Sequence, residues 1–243
     1  MDKLIYTSMT GAKHLMARQD TLAQNLANAN TTGYRADAVA LRAVPVRGDA
    51  AGTRVFTVET TTGSDFTPGP MAATGRSLDV AVQGSGWITV QDANGEEAYT
   101  RNGSLQLAPD GTLQLPNGLA VMGDGGSLTI PPDAQVSVAP DGTVSVRTPG
   151  SNTVIAVGRL KLVDPPKEDL IKGLDGLFRQ KSGEPADADA NVRIAEGTLE
   201  GSNVNVVEAM IGMIAAARQF EIQMKLLQSA EQNEQSAASL LRG

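Results

Sequence analysis

The stretch Asn205-Val206-Val207-Glu208-Ala209-Met210-Ile211-Gly212-Met213-Ile214-Ala215-Ala216-Ala217-Arg218-Gln219-Phe220-Glu221-Ile222-Gln223-Met224-Lys225-Leu226-Leu227 decides how the rest of the chain is read. Asn205 offers an N-cap oxygen, and Glu208 three residues on completes a capping box. Met210, Met213, Ala217, Phe220, Met224, Leu227, Glu231, Glu234, Ala238 and Leu241 then alternate by three and four, with only the two glutamates off-pattern. The spacing predicts a helix over residues 206–241, roughly 54 Å long at the α-helical rise.

Proline extends this reading outward. All 12 prolines lie between Pro45 and Pro185. One in a helix interior costs about 3 kcal/mol, so both ends are free to be helical and the middle mostly is not. At the front, Ile5, Ala12, Leu15, Leu22, Leu26 and Ala29 follow the same spacing, with gaps at Ser8 and Gln19. That helix should stop in Asn28-Ala29-Asn30-Thr31-Thr32-Gly33, where Asn and Thr compete for backbone hydrogen bonds and Gly33 can take a left-handed cap.

Between the ends, β-type runs such as Leu78–Val82, Trp87–Val90, Leu105–Leu107, Thr112–Leu115 and Val154–Val163 alternate with turns. Asn94-Gly95, Asp110-Gly111, Asn117-Gly118 and Asp141-Gly142 are pairs that accept positive φ. Ala108-Pro109-Asp110-Gly111-Thr112 recurs as Ala139-Pro140-Asp141-Gly142-Thr143, read as two similar hairpins rather than an array. The expected fold class is α+β: long N- and C-terminal helices paired as an assembly stalk, with a mainly antiparallel β-rich central domain. The expected division is a helix over 1–33, an extended linker over 34–77, a β-rich body over 78–163, an irregular excursion over 164–203 and a helix over 204–243.

Charge and stripe together suggest what the ends pack against. Residues 1–42 hold five basic and three acidic side chains, and residues 197–243 hold three basic and five acidic. The opposite signs favour pairing, modestly, because exposed ion pairs contribute little each. Two helices of this length still leave apolar surface bare, and the methionines add adaptable packing surface. Burial between copies of the chain and burial of a hairpin against the chain's own body both remain open on pattern alone.

Composition narrows the function. Eight aromatic residues leave few rings for gripping a sugar or a base, and a net charge of −7 without a basic run argues against nucleic acid. There is no cysteine, hence no disulfide, thiolate or Cys-based metal site. The first residues carry no signal-peptide core, and no run approaches the ~20 apolar residues of a membrane span, so no direct membrane insertion is expected. His14 is the single histidine and sits in a helix pattern, where a catalytic or metal role lacks partners. Asp187-Ala188-Asp189-Ala190-Asn191 begins like a calcium loop, but Val192 and Thr198 stand where glycine and glutamate are required. Gly84-Ser85-Gly86 follows a strand without opening a helix, so it lacks a phosphate cradle. Asp164, Glu168 and Asp169 read as a solvated loop. No catalytic, cofactor or metal residue is assigned, and an enzyme is not expected.

Four segments resemble the flagellar rod and hook protein family. They are Asn25-Leu26-Ala27-Asn28-Ala29-Asn30-Thr31-Thr32-Gly33-Tyr34-Arg35, Leu78 to Gly86, Tyr99-Thr100-Arg101-Asn102-Gly103, and Leu199-Glu200-Gly201-Ser202-Asn203-Val204-Asn205 on through Lys225. They span nearly the whole chain in the family's order. Met1–Thr7, Leu41–Val46 and Gly158–Val163 look most like its proximal-rod members, with the distal-rod members as the alternative. A β-rich cell-wall-binding module is the competing reading of a different class.

The resemblance implies a self-assembling subunit of the proximal rod in the flagellar basal body. It implies export by the flagellar secretion apparatus and torque transmission across the periplasm. Its implied partners are other copies of the chain, other rod proteins and the export apparatus. The implied assembly residues are Leu15, Leu22, Asn25, Leu26, Asn28, Asn30, Gly33, Tyr34, Asn203, Asn205, Met210, Ile214, Phe220, Met224 and Leu227. Among these, Gly33 would release the chain from a tube wall, the first three asparagines would serve the corner, and Asn203 and Asn205 would fix the re-entry turn.

Overall fold

Asn205 caps the last helix: its side-chain oxygen accepts the N–H groups of Val207 and Glu208 at 3.1 and 3.2 Å. From there α-helix runs over Val206–Leu240, with Glu208 in its first turn. The computed structural model describes residues 2–45, 55–131, 133–148, 150 and 153–240, with side chains over 9–38, 63–131, 133–148, 150, 153–229, 231–233 and 236. Of the expected stripe, Leu241 and the side chains of Ile5, Glu234 and Ala238 lie outside these.

The chain divides into two units. The first contains α1 (Asp2–Ala27), β1 (Asp37–Pro45), β2 (Val55–Ser64) and α2 (Val206–Leu240). β1 and β2 pair antiparallel from Asp37 opposite Ser64 to Pro45 opposite Val55, with a register shift at Ala40/Leu41. The expected extended linker therefore contains a two-stranded ribbon. α1 ends where its sequence turns to Asn and Thr, with the Asn28 N–H bonded to the carbonyls of Gln24 and Asn25.

The second unit, residues 30–35 and 66–203, is β-rich. Its ribbons are β3 (Met71–Ala73) with β18 (Thr198–Glu200), β4 (Val80–Gln83) with β17 (Arg193–Glu196), β7 (Gln106–Leu107) with β8 (Leu113–Gln114), and β9 (Met122–Gly123) with β10 (Gly126–Ser127). β11 (Gln135–Val138), β12 (Thr143–Arg147) and β13 (Val154–Arg159) form a three-stranded sheet. A five-stranded sheet runs β14 (Leu162–Val163), β5 (Trp87–Gln91), β6 (Glu97–Thr100), β16 (Phe178–Gln180), β15 (Leu170–Lys172). Every pairing between these strands is antiparallel. The class is α+β, with one helix at each end of the chain.

The recurring turn makes the same geometry twice. Gly111 N–H donates to Ala108 O and Gly142 N–H to Ala139 O, both at 2.9 Å, with φ of 83° and 89° at the two glycines. Each aspartate accepts the backbone N–H two residues on, which closes the loop locally. β11 and β12 bury every second residue (Val136, Val138, Val144, Val146), as a one-sided strand must. These join Val80, Ile88, Val90, Leu105, Leu113 and Leu160 in the main core. A smaller aromatic cluster forms beside it, with the Trp87 and Phe178 rings 4.5 Å apart and Phe66 edge-on to Trp87 at 6.0 Å.

Candidate assembly surfaces

α2 carries apolar residues on two opposite sides. Ala209, Met213, Ala216, Phe220 and Leu227 recur by about 3.6 residues, and all are buried or half-buried. Val207, Ile211 and Ile214 lie about half a turn away and are 65, 62 and 56% exposed, whereas Ile222, 57% exposed, borders the groove shared with α1 and Leu226, 50% exposed, stands about a quarter turn from Leu227. The expected stripe positions Met213, Ala217, Phe220 and Leu227 are half-buried, whereas Met210 and Met224 lie towards the exposed side at 48 and 40%. Between 206 and 217, where Glu208 is the one charged residue, this helix is therefore apolar nearly all round, a pattern that water does not favour.

On the half-buried side, Gly212 faces Leu22 of α1: a methyl at Gly212 would stand 3.1 Å from Leu22 Cδ1. A methyl at Gly11 would meet the Gln223 amide at 3.6 Å. Leu15 and Leu26 are half-buried on α1, and a groove of about 420 Å³ is lined by Gly11, His14, Leu15, Arg18, Gln219, Ile222 and Gln223.

The asparagine corner separates into distinct tasks. The Asn25 amide pairs with Asp37 in both directions, Nδ2 donating to Asp37 O and Oδ1 accepting Asp37 N–H, each at 2.8 Å. This clamps the end of α1 to the start of β1. Asn28 Nδ2 donates back to Gln24 O at 2.9 Å, which satisfies a carbonyl of the last helical turn. Asn30 is exposed.

Gly33 lies in the turn through which the chain enters the second unit. Its φ is 69°, its N–H donates to Glu200 O at 2.7 Å, and a Cβ there would collide with the backbone of Arg101 and Asn102. Tyr34 O accepts the Asn203 N–H at 3.3 Å, and Asn203 Nδ2 donates to Thr67 O at 3.0 Å. The chain's way in and way out are thus stitched side by side. Tyr34 stacks under Lys172, whose Nζ stands 3.9 Å from the ring centroid and donates to Arg35 O at 2.8 Å.

Beneath that seam lies an ionic cluster that sequence reasoning did not single out. Glu200 is fully buried, with Oε1 accepting Arg35 Nη2 at 2.6 Å and Gly69 N–H at 3.0 Å. Its Oε2 accepts Arg101 Nη1 at 3.1 Å. Arg101 also donates to the carbonyls of Val82 and Gly84 and lies 5.3 Å from the Trp87 ring. Burial pushes the Arg101 guanidinium below its usual pKa, against the pull of Glu200. The available signal was a charge set directly after β-type residues in Tyr34-Arg35, Tyr99-Thr100-Arg101 and Leu199-Glu200. Elsewhere, Arg179 bridges Asp92 at 2.7 Å and Asp175 at 2.6 Å.

The other motifs are accounted for locally. Asp189 Oδ1 accepts the Asn191 N–H in a small turn, and Gly84 and Gly86 take φ of 74° and 112° before β5 continues. Among the described residues no group of His, Asp and Glu is placed to hold a metal, and no helix is long and apolar enough to cross a membrane.

Three family models match the chain in order: flagella basal body rod protein over residues 5–35, the flagellar hook protein FlgE/F/G D1 domain over 81–146, and the flagellar basal body rod FlgEFG protein C-terminal region over 195–240. The chain is 47% identical over 248 residues to the flagellar basal-body rod protein FlgF of Escherichia coli K12, covering 99% of each. It belongs to the flagellar basal-body rod protein family. The Salmonella typhimurium FlgF is equally similar, at 47% and 99% of each chain. A FlgG rod protein from Borreliella burgdorferi is 27% identical, over 95% of this chain and 96% of its own. The rod-family models at the two ends cover α1 with the Asn25–Arg35 corner, and β18 with α2. Glu200 and Arg35 each fall inside one of these matches, and Arg101 falls inside the hook-domain match.

Proposed function

We infer that this chain is a structural subunit of the flagellar basal-body rod, of the FlgF kind, whose terminal helices pair as a stalk and build the rod with neighbouring subunits. Its place is the rod within the basal body. The second apolar face of α2 carries this reading: Val207, Ile211 and Ile214 are more than half exposed and line up along one side. One face of a helix can be covered by α1; the opposite face needs a further partner. Burying a side chain of this size is worth about 1.5–3 kcal/mol, so three together within two turns are a drive to associate.

Leu22 over Gly212 and Gln223 beside Gly11 support the pairing of α1 with α2. Higher identity to the two FlgF relatives than to the FlgG relative supports the proximal rather than the distal rod. Copies of this chain and other rod and hook proteins are the partners, reached through the flagellar export apparatus. The mechanism is mechanical. Apolar seams locked into several neighbours resist twist, so torque passes along the stalks.

The test replaces Ile211 and Ile214 together with aspartate in the full chain. We expect the soluble protein to melt within about 2 °C of the parent, because both side chains are exposed. Cells carrying it should lose motility and yield basal bodies lacking this subunit. Swimming cells with normal rods would sink the reading.

A further inference from the structure

We propose that the cavity beside the buried Arg35–Glu200–Arg101 cluster is a binding site for a single carboxylate group. It measures about 250 Å³ and is lined by Arg35, Arg101, Lys167, Asp164 and Trp87 together with the Gly84–Gly86 turn. One buried carboxylate, Glu200, serves two buried guanidiniums, and its oxygens are spent on Arg35 Nη2, Gly69 N–H and Arg101 Nη1. Three buried N–H-bearing atoms are left without an acceptor among the described residues: Arg35 Nε, Arg35 Nη1 and Arg101 Nε. Buried donors of this kind are rare, since each forfeits its hydration, and a charged acceptor is their strongest remedy.

The charge balance selects the ligand. Three cations face two carboxylates, because Asp164 also lines the cavity and accepts the Ser85 hydroxyl at 2.6 Å. The surplus is one positive charge, which suits a monoanion; a phosphate dianion would be repelled by Asp164 and Glu200. The volume admits a carboxylate with a few carbons and falls below that of ordinary small-molecule sites. Lys167 is exposed at the rim and free to swing over an entering anion.

Two sources carry this chemistry: a small free carboxylate, or an Asp or Glu side chain of a neighbouring subunit. The site itself is independent of the rod reading, and only the second source rests on it.

The probe is sodium acetate added to the full chain, compared with chloride and phosphate at equal ionic strength. The readouts are the arginine Nε–H resonances and the melting temperature. Acetate should shift the buried Arg35 and Arg101 Nε–H signals saturably and raise the melting temperature, while chloride and phosphate do neither. Lys167→Met should weaken acetate binding roughly threefold, the size of one rim charge, and leave the acetate-free melt unchanged. That variant is chosen because Arg35→Ala would strip Glu200 of a partner and confound binding with folding. No acetate-specific shift, an equal response to chloride or phosphate, or full affinity in Lys167→Met overturns the proposal. Carbodiimide treatment of isolated basal bodies separates the sources. A Lys167 link to another subunit's acidic residue assigns the site to a neighbour's side chain, and acetate binding without that link assigns it to a free carboxylate.

Discussion

The β-rich unit and α2 use the same kinds of residue and dispose of them in opposite ways. Val80, Ile88, Val90, Leu105 and Leu113 are fully buried in the body, whereas Val207, Ile211, Ile214 and Ile222 keep more than half their surface. The difference lies in geometry. Short strands joined by Asp-Gly and Asn-Gly turns fold back within a few residues and enclose their own side chains. A 35-residue helix cannot fold back, so residues on its second face are not enclosed by the helix itself. The body consequently encloses its own apolar residues, and the helix keeps an exposed apolar face.

The sharpest way to break this comparison is to truncate one residue from each region. Leu105→Ala should cost about 2–5 kcal/mol, through lost burial and the cavity left behind. Ile211→Ala should cost the isolated chain less than about 0.5 kcal/mol, because the site is already wet. Urea denaturation of both proteins measures the gap, and equal costs would mean that α2's exposed face is covered within the monomer. Next in size is Gly33→Ala, which asks for a positive φ and pushes a methyl into the Arg101 backbone. A loss of about 2–3 kcal/mol is expected from the conformation and the clash together.

Both helices, the class and the turns were legible because each rests on local rules. Asn205 caps α2, Gly33 takes positive φ, and the two Ala-Pro-Asp-Gly-Thr turns close alike. The ionic cluster was not legible. Arg35 and Glu200 are 165 positions apart, and no spacing rule links residues brought together by the fold alone. The β1–β2 ribbon is legible only as extended chain. Its runs, such as Val55-Phe56-Thr57-Val58-Glu59-Thr60-Thr61-Thr62, have β-type residues but no Asn-Gly or Asp-Gly turn directly joining them. The stripe on α2 reads as one seam. A 3-4 spacing finds one apolar face and is blind to a second face half a turn away.

A smaller effect separates the regions by pH. The Arg179 guanidinium holds the Asp92 carboxyl below its usual range, helped by the N–H groups of Glu96 and Asn94. A carboxyl whose pKa is depressed on folding stabilises the native state above its unfolded value, near 4. That contribution fades as pH falls through the lower folded value. The melting temperature should therefore drop below about pH 4. Asp92→Asn should remove part of this slope: it should melt lower than the parent at pH 7, with the difference shrinking in acid. A constant difference across that range would show that Asp92 acts without titrating.

The smallest expected effect tests the contact between the two helices most finely. Gly212 lies in α2, where exchanging glycine for alanine ordinarily gains about 0.5–1 kcal/mol by restricting the unfolded backbone. Here the new methyl would sit 3.1 Å from Leu22 Cδ1 and 3.4 Å from Cδ2, so the leucine must yield by a few tenths of an ångström. Leu22 is half-buried and can turn only part of the way, so strain should consume most of the gain. Gly212→Ala is expected to change stability by less than about 0.5 kcal/mol. Adding Leu22→Ala removes the obstacle, and in that background Gly212→Ala should recover the full helix-propensity gain. Denaturation of the four proteins of this cycle gives the coupling directly. A Gly212→Ala gain that is the same with and without Leu22 would mean that the helices do not touch there in solution, and the proposed stalk would lose its best-defined contact.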